Sequence, residues 1–242
     1  MKIGIISDIH ANLPALQAVL ARLDQEDCVK ILCCGDVVGY GGNPRECVDL
    51  VRQRNLLCVR GNHDHMVAYP GREALMRADV RRVIQWTRET LDKEAFDWLA
   101  ELPMEVNYAG INVVHSSHVF RPEWHYVVDE RSICANFLFQ SCATAFNGHT
   151  HLPLVAIHNR GSRPRLIMLR DFDLPRDDRC MINVGSVGQP RDRHPQAACA
   201  VFETRTRRVS LFRVDYDVAL AQKAIRNADL PAFFAERLGE GR

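Results

Sequence analysis

The sequence lacks a strong excess of charge of either sign. Its 31 basic and 30 acidic residues leave a formal charge of +1, so we expect no global attraction to nucleic acid or to anionic lipid. No segment reaches the roughly 20 consecutive apolar residues of a membrane span. The apolar stretch near the N-terminus is too short for a signal sequence, and Asp8 interrupts it. A cytoplasmic protein without a membrane partner is therefore expected.

Cys-x-x-Cys pairs are also absent, although the chain has nine cysteines. An odd number without paired spacing favours neither a disulfide framework nor a cysteine-ligated zinc site. Seven of the cysteines lie in or beside apolar runs: Cys33, Cys34, Cys58, Cys134, Cys142, Cys180 and Cys199. We expect these thiols to be reduced and to pack as small core hydrophobes.

Apolar runs alternate with amphipathic stretches in the first part of the chain. KIGIIS, KILCCG and NLLCVRG read as strands, and the stretches between them read as helices that begin after Asn12 and Asn43 as N-caps. Pro44 occupies the first helical position of the second helix. This β-α-β-α-β order predicts a parallel sheet with right-handed crossovers.

The remainder is predicted to begin with helix and to continue with strands. A helical pattern from Arg72 to Leu99 ends before Pro103, and several short strands follow, including a hairpin about Ala109 and Gly110. Further helices are predicted at about 129–139 and, broken before Pro231, in the tail. No linker divides the chain, so residues 1–242 are interpreted as a single domain in which two sheets pack face to face with helices outside.

Polar residues stand at the C-terminal ends of the predicted strands. In an open α/β sheet the ligand crevice lies at that edge. Two pairs have i, i+2 spacing, which in an extended chain points both side chains to one face. Gly35, Gly61 and Gly148 each precede a member of the set, where the missing Cβ lets the chain turn sharply or approach a ligand closely. The set is Asp8, His10, Asp36, Asn62, His63, His115, His149 and His151, and it predicts a metal site with mixed nitrogen and oxygen ligands.

These motifs resemble those of the calcineurin-like metallophosphoesterases. The resemblance rests on SDIH, GD, GNHD, VHS and GHTH, which occur between Ser7 and His151 in the family's order and approximate spacing. GDVVGYGGNP and NVGSVGQPRD are similar to small bacterial phosphodiesterase-type members and extend the resemblance over most of the chain. It implies an α/β fold, a four-layer α/β/β/α sandwich with two packed mixed β-sheets flanked by helices.

The resemblance also implies a binuclear metal centre. Asp8, His10 and His151 would hold the first metal ion, Asn62, His115 and His149 the second, and Asp36 would bridge both. Two divalent or trivalent ions are expected, Mn and/or Fe with Zn as a further option, because no thiolate is among the ligands. In this family a metal-bridging hydroxide attacks the phosphorus atom in line.

His63 is the candidate catalytic residue, because the leaving oxygen needs a proton or a positive charge nearby. Ser/Thr protein phosphatases of the family carry the longer motif Gly-Asp-x-x-Asp-Arg-Gly, whose second Asp orients this histidine and whose Arg grips phosphate. Gly39 and Tyr40 occupy those two positions here. The departure disfavours a protein phosphatase and leaves Asp64 as the candidate that orients His63.

The Gly-rich stretch NVGSVGQPRD has two interpretations. It is either a plain tight turn or a loop whose backbone N–H groups and Arg191 face the substrate phosphate, where an arginine fork suits bidentate binding. In the second case Asn183, Ser186 and Arg191 bind substrate, and Tyr40 flanks the crevice to accept a nucleobase or an aryl group.

The favoured function is that of a metal-dependent phosphoric ester hydrolase. Its substrate would be a small phosphorylated compound, for example a nucleotide, and the bond a phosphodiester or phosphoanhydride, as in a phosphodiesterase or a dinucleoside-polyphosphate hydrolase. The alternatives are a phosphomonoesterase, a protein phosphatase, or a noncatalytic scaffold of the same fold, like the retromer subunit that resembles these enzymes. Retention of His63 with all seven ligand positions argues against the scaffold.

Overall fold

Twelve strands form two β-sheets in the computed structural model of the protein, which describes residues 1–71, 73–119, 122–159 and 161–242. The strands are β1 (Lys2–Ile6), β2 (Lys30–Cys33), β3 (Leu57–Cys58), β4 (Glu105–Tyr108), β5 (Ile111–Val114), β6 (Thr144–Asn147), β7 (Pro153–His158), β8 (Arg165–Met168), β9 (Phe172–Asp173), β10 (Arg179–Val184), β11 (Ala197–Glu203) and β12 (Arg208–Val214). The first sheet has the order β3-β2-β1-β11-β12-β9, and the second has the order β4-β5-β6-β10-β7-β8.

Helices cover the outer faces of both sheets. They are α1 (Leu13–Gln25), α2 (Pro44–Gln53), α3 (Asn62–Ala68), α4 (Ala78–Thr90), α5 (Lys93–Glu101), α6 (Glu130–Phe139), α7 (Val218–Asn227) and α8 (Ala232–Glu236), with 3-10 turns at Glu73–Leu75 and Arg237–Gly239. Residues of α1, α2 and α5 share a core with the first sheet, and α6 packs on the second. The predicted α/β/β/α sandwich is confirmed.

The core between the sheets is built from alternate strand residues. Ile5 of β1 and Leu32 of β2 pack with Phe146 of β6 and Ile182 of β10 in one buried cluster. Because side chains of a strand alternate between its two faces, the remaining apolar residues of the first sheet turn outward to the helices. Ile6, for example, packs with α1 and α2. The strands therefore read as continuous apolar runs, as expected of sheets that are covered on both faces.

Parallel pairing brings the functional ends of the strands together. β1 pairs in parallel with β2, and β2 with β3. In the second sheet, β6 lies parallel to both β5 and β10. The C-terminal ends of these two groups emerge at the edge of the sandwich where the predicted ligands are found.

The predicted helix from Arg72 to Leu99 is wrong in its extent. Arg72 lies outside the described residues, and the rest of the segment contains α4 and α5 with a break at Leu91. The break has a local cause, because the Asp92 side chain accepts a hydrogen bond from the backbone N–H of Ala95 at 2.9 Å and so starts a new helix. Neither α3 nor the two-residue strand β9 was predicted.

Both predicted N-caps occupy the cap position, but only one acts through its side chain. Asn12 Oδ1 accepts a hydrogen bond from the backbone N–H of Ala15 at 3.2 Å. Asn43 makes no such bond, and its amide instead donates to Glu46 at 3.1 Å. Pro44 begins α2 as predicted.

Most of the cysteines that were predicted to lie in the core are buried there, with two exceptions. Of the seven named above, Cys134 is exposed and Cys142 is half-buried, while the other five are buried. Cys134 is exposed because it lies on a face of α6 that turns away from the sheet. Within the described residues, no helix is both long enough and apolar enough to cross a bilayer.

The tail folds back over the edge of the sandwich. The predicted break before Pro231 is confirmed, since α7 ends at Asn227 and α8 starts at Ala232. Phe234 and Ile225 of these helices form a buried cluster with Val83 of α4, against which Tyr40 and Trp86 pack. The interpretation of residues 1–242 as one domain stays a prediction.

Phe146→Ala should lower the free energy of unfolding by about 3–5 kcal/mol, because it opens a cavity between the sheets. The Phe146 side chain is fully buried, and its ring centroid lies 5.6 Å from that of Phe202 in the first sheet. Phe139→Ala is the matched control, since Phe139 is 59% exposed and its loss should change stability by about 0.5 kcal/mol or less. Urea denaturation measures both, and equal effects would contradict this account of the core.

Candidate metal centre

The two sheets meet closely where the chain leaves β1 and β6. The backbone N–H of His149 donates to the Asp8 carboxylate, with distances of 3.2 and 3.1 Å to its two oxygens. A Cβ atom at Gly148 would overlap Ser7 Oγ and an oxygen of Asp8. Likewise, a Cβ atom at Gly61 would overlap the Asp36 carboxylate. Both glycines thus allow the backbone to approach a predicted ligand residue closely, and at Gly148 this approach joins loops from different sheets.

Most of the predicted ligands have left-handed backbone. The φ angles are 53° at Asp8, 48° at His10, 57° at Asp36, 70° at His149 and 61° at His151. The two i, i+2 pairs therefore do not lie in extended chain, so the reason given above for their shared face is wrong. Their side chains nevertheless converge, because each pair follows its strand in a tight turn.

Asp8, His10 and His151 form the first group of predicted ligands, and their ligand atoms lie within 4.8 Å of one another. His10 Nδ1 lies 3.2 Å from the carbonyl oxygen of Val38, and His151 Nδ1 lies 2.6 Å from that of Gln189. A carbonyl oxygen only accepts, so each Nδ1 carries the hydrogen and each Nε2 presents a lone pair. The two Nε2 atoms are 3.1 Å apart.

A second group of donors faces the first across Asp36. His115 Nδ1 donates to the carbonyl oxygen of Cys34 at 2.8 Å, and its Nε2 lies 3.0 Å from Asn62 Oδ1. His115 Nε2 is also 3.4 Å from Asp36 Oδ2, while His10 Nε2 lies 3.6 Å from the same oxygen. The Asp36 carboxylate thus stands between the two groups.

His149 completes the second group with its other ring nitrogen. Its Nε2 donates to the carbonyl oxygen of Trp124 at 2.9 Å, which leaves the Nδ1 lone pair free to bind a metal. The His149 ring lies 5.0 Å from that of His115 and stacks on Tyr126 at 4.2 Å between centroids. Trp124 and Tyr126 were not predicted, because no motif marks the loop that carries them.

The pKa shifts of the buried groups indicate that a positive charge beside Asp36 is favourable. Burial lowers the pKa of His10 and of His151 well below the usual value, so both rings are neutral. Burial opposes protonation of His115, yet the Asp36 carboxylate raises the pKa of its imidazole to about 9. Burial also raises the pKa of Asp8 to about 7. The site therefore stabilises a cation in contact with Asp36.

The donors fit metal ions. Two imidazole lone pairs that face each other at 3.1 Å, with no hydrogen between them, repel unless a cation lies in contact with both. Nitrogen and oxygen donors with no thiolate suit Mn, Fe or Zn. Hydrogen bonds from each imidazole to a backbone carbonyl fix the ring orientation, as is usual for metal-bound histidine.

Asp64 holds the backbone of the site. Its carboxylate accepts four backbone N–H groups: from Asp36 and Gly61 at 2.9 Å, from Val37 at 2.9 Å and from Val38 at 3.2 Å. Both oxygens are occupied by these bonds, so the carboxylate is not directed at the His63 ring. Asp64 therefore positions the loop after β2 against the start of α3, a role that spacing alone did not reveal.

Packing orients His63. Its ring centroid lies 4.4 Å from that of Tyr40 and 4.9 Å from that of His10, while its Nδ1 is buried without a hydrogen-bond partner among the described residues. A Cβ atom at Gly39 would clash with this nitrogen. A ring nitrogen of His63 also lies within 4.8 Å of the ligand atoms of His10 and Asp36, so the structure brings it within reach of a metal.

The end of β10 and the loop that follows it support the site mainly from behind. Asn183 donates to the carbonyl oxygen of Gly148, and Ser186 Oγ donates to that of Asp8 at 2.8 Å. Both side chains are buried, and the loop's N–H groups at Val187 and Gly188 bond to the carbonyl oxygens of Ser7 and Asp8. These groups are occupied within the protein, which disfavours the prediction that they contact substrate.

Arg191 and Tyr40, by contrast, lie at the open side of the site. The Arg191 guanidinium is 3.5 Å from the Tyr40 hydroxyl and 2.9 Å from Gln189 Oε1. The Tyr40 ring lies 4.6 Å from that of His10. Both residues are only partly buried, so they can face a ligand that approaches the predicted metal ions.

Comparison with known proteins gives the family. Residues 1–207 match the calcineurin-like phosphoesterase superfamily domain. The chain belongs to this superfamily. A curated relative is the uncharacterized protein MJ0912 of Methanocaldococcus jannaschii, which is 37% identical over 246 residues, covering 99% of this chain and 98% of the relative.

Solved structures agree with this assignment. A metallophosphoesterase from Sphaerobacter thermophilus superposes with a TM-score of 0.87 at 38% identity, with 100% of each chain covered. The hypothetical protein PH1004 from Pyrococcus horikoshii OT3 superposes with a TM-score of 0.80 at 19% identity, covering 100% of this chain and 98% of the other. The second similarity shows a shared fold. The resemblance to the calcineurin-like phosphoesterases is confirmed.

Asp64→Asn should destabilise the loops that carry the predicted ligands. An amide side chain offers one acceptor oxygen where the carboxylate offers two, so buried N–H groups lose their partner and the free energy of unfolding should fall by about 1–3 kcal/mol. Asp177→Asn, at an exposed position, is the control and should have little effect. Urea denaturation with and without Mn measures both variants. An Asp64→Asn protein as stable as the control would show that the four bonds do not matter.

Proposed function

We propose that the protein is a two-metal phosphoesterase that cleaves phosphodiester or phosphoanhydride bonds in small phosphorylated compounds. The observation that carries the proposal is the convergence of buried donors around Asp36, where the neutral His10 and His151 present Nε2 lone pairs 3.1 Å apart and the His10 and His115 rings both approach one Asp36 oxygen. Membership of the calcineurin-like phosphoesterases supports the reaction type.

The proposed ligand sets follow the two groups. Asp8, His10 and His151 would hold one ion, Asn62, His115 and His149 would hold the other, and Asp36 would be shared between the two sets. When bound, two cations supply Lewis acidity toward phosphoryl oxygens and make a nucleophile available at neutral pH. Mn and/or Fe, with Zn as the further option, suit these donors.

The chain's own contribution to the chemistry includes His63. Burial lowers the pKa of its imidazole to about 4, so the ring is neutral at pH 7 and carries a single N–H. That N–H can donate a hydrogen bond to the leaving oxygen and so stabilise its developing negative charge, while the proton stays on the ring. Tyr40 and His10 hold the ring in place by packing.

Arg191 is proposed to bind the phosphoryl group. Its guanidinium carries a permanent positive charge and presents several N–H donors in one plane, a geometry that matches phosphoryl oxygens. Tyr40 occupies the position at which the protein phosphatases of the family have an arginine. This site therefore has one arginine fewer to bind the two negative charges of a phosphomonoester. A diester or anhydride, whose phosphorus carries less charge, is therefore the proposed substrate class.

The proposal predicts that Mn-reconstituted protein hydrolyses bis(4-nitrophenyl) phosphate about tenfold or more faster than 4-nitrophenyl phosphate, in terms of kcat/KM. The leaving group and chromophore are the same, and the substrates differ in the charge of the phosphoryl group and in the second aryl ester. Asp36→Asn is the control, since it should lose metal and activity together. A preference for the monoester would identify a phosphomonoesterase, and metal binding without turnover of any ester would identify a scaffold.

His63→Ala separates catalysis from metal binding. If the imidazole serves the leaving group, the variant should keep its metal content and lose roughly 10² to 10⁴ in rate on a dinucleoside phosphate, whose alkoxide leaves poorly. The loss should be smaller on bis(4-nitrophenyl) phosphate, because nitrophenolate is already a stable anion.

Two further variants calibrate the His63 result. His149→Ala should lower metal content and slow both substrates, while His158→Ala, at the end of β7 away from the site, should change neither. Elemental analysis and initial rates are the measurements. Loss of metal from His63→Ala would make His63 a ligand, and equal loss on both substrates would remove its role toward the leaving group.

A further inference from the structure

The loop at 122–128, which precedes α6, lies against the second group of predicted ligands. The carbonyl oxygen of Trp124 accepts the hydrogen bond from His149 Nε2 at 2.9 Å, and the Trp124 ring lies 5.7 Å from that of His115. Trp124 has a φ of 55°, a left-handed conformation that a bulky residue keeps only where its surroundings hold it. The loop is therefore held against both histidines.

Tyr126 of the same loop stacks on His149 and is still open to a further ring. The two rings are nearly parallel, with an interplanar angle of 15° and 4.2 Å between their centroids, yet Tyr126 is 50% exposed. An aromatic side chain in this position can accept a second planar group by offset stacking. Because His149 is a proposed metal ligand, a group bound by Tyr126 would lie close to the phosphoryl group that the metal ions bind.

Tyr126 also lines a cavity of about 380 Å³. The lining includes Ser117, which follows His115 by two residues, and Ala135 of α6. This volume is within the range of pockets that bind small organic molecules. The cavity thus lies between the loop at 122–128, the segment that carries His115 and the helix α6.

The polar groups of this cavity match the edge of a nucleobase. Asp129 and Arg131 line it and supply an acceptor and a donor. The Asp129 carboxylate is held in place, because its Oδ1 accepts hydrogen bonds from the backbone N–H and the hydroxyl of Ser132 at 2.7 and 2.8 Å. Proteins bind nucleobases by stacking on the flat face together with hydrogen bonds to the edge. A plain aryl group would use only the stacking.

Tyr40, for which the sequence analysis suggested this role, has a ring that is already packed. The ring centroids of His10, His63 and Phe234 lie 4.6, 4.4 and 4.9 Å from that of Tyr40. With three rings against it, Tyr40 has less room for another aromatic group than Tyr126 has.

We infer that Tyr126 and this cavity form a subsite for the nucleobase of a nucleotide substrate. The inference rests on the proposed function and narrows its substrate class from small phosphorylated compounds to nucleotides. One ribose joins a base to its 5′ phosphate, so a base stacked on Tyr126 and a phosphate at the proposed metal centre can belong to one molecule.

The test measures the affinity of the Mn-loaded protein for AMP and for ribose 5-phosphate by calorimetry. Ribose 5-phosphate carries the sugar and the phosphate without the base, so the unsubstituted protein should bind AMP about tenfold or more tightly. Tyr126→Leu should weaken AMP binding about tenfold and leave ribose 5-phosphate binding unchanged, because it removes only the stacking surface. Tyr126→Phe, which keeps the ring, should retain the affinity for AMP.

Two control variants and one that fills the cavity complete the experiment. Phe139→Leu removes an exposed ring at the end of α6 and should change neither affinity. Ala135→Phe places a ring inside the cavity and should weaken the binding of AMP alone. Cys134→Phe adds the same ring at the neighbouring exposed position and should weaken neither ligand.

Three results would overturn the subsite. Equal weakening of both ligands by Tyr126→Leu would show that Tyr126 acts only through His149 and the metal content, which elemental analysis measures in parallel. Equal affinities of the unsubstituted protein for AMP and ribose 5-phosphate, or no measurable binding of AMP, would also contradict it. If AMP bound as expected but no phosphoester were hydrolysed, the proposed function would fail and the subsite would remain.

Discussion

Left-handed backbone at five of the seven predicted ligands is the constraint on which the rest of the site depends. Each such residue costs roughly 1–2 kcal/mol, so together they store free energy on the order of a small domain's whole stability. The loops offset this by bonding to one another. The N–H of Asp8 donates to Gly35, that of His10 donates to Asp36, and that of Gly188 donates to Asp8. The conformation is thus maintained by its neighbours, and each loop requires the others.

Burial of the donors adds a second, electrostatic constraint. Water would otherwise separate the imidazole nitrogens and carboxylates, but the side chains of Asp8, His10, Asp36 and His115 are almost completely buried. In such surroundings the donors cannot rearrange to avoid one another, because carbonyl hydrogen bonds fix each ring. A preorganised set of this kind binds cations without reorganising, which is the condition for strong electrostatic stabilisation of a reacting phosphoryl group.

The sequence predicted the features that follow from the local pattern of apolar and polar residues. It did not predict contacts between residues that are distant in the sequence. Alternating strands and helices, with polar residues at strand ends, located the sandwich and brought the ligand types to one edge. The partners of Asp64, Asn183 and Ser186 were not predictable, because hydrogen bonds between segments that are far apart in the sequence leave no periodic trace. The same holds for Trp124, which acts through its backbone carbonyl, an atom that every residue possesses.

The position of α7 and α8 beside Tyr40 has an evolutionary consequence. Residues 208–242 supply α7 and α8, whereas every predicted metal ligand precedes them. Substitutions in the tail can therefore alter the surroundings of Tyr40, against which Phe234 packs, without replacing any predicted ligand. The tail helices and the loops that carry the predicted ligands are encoded in separate stretches of the sequence, so substitutions can accumulate in one stretch while the other is unchanged.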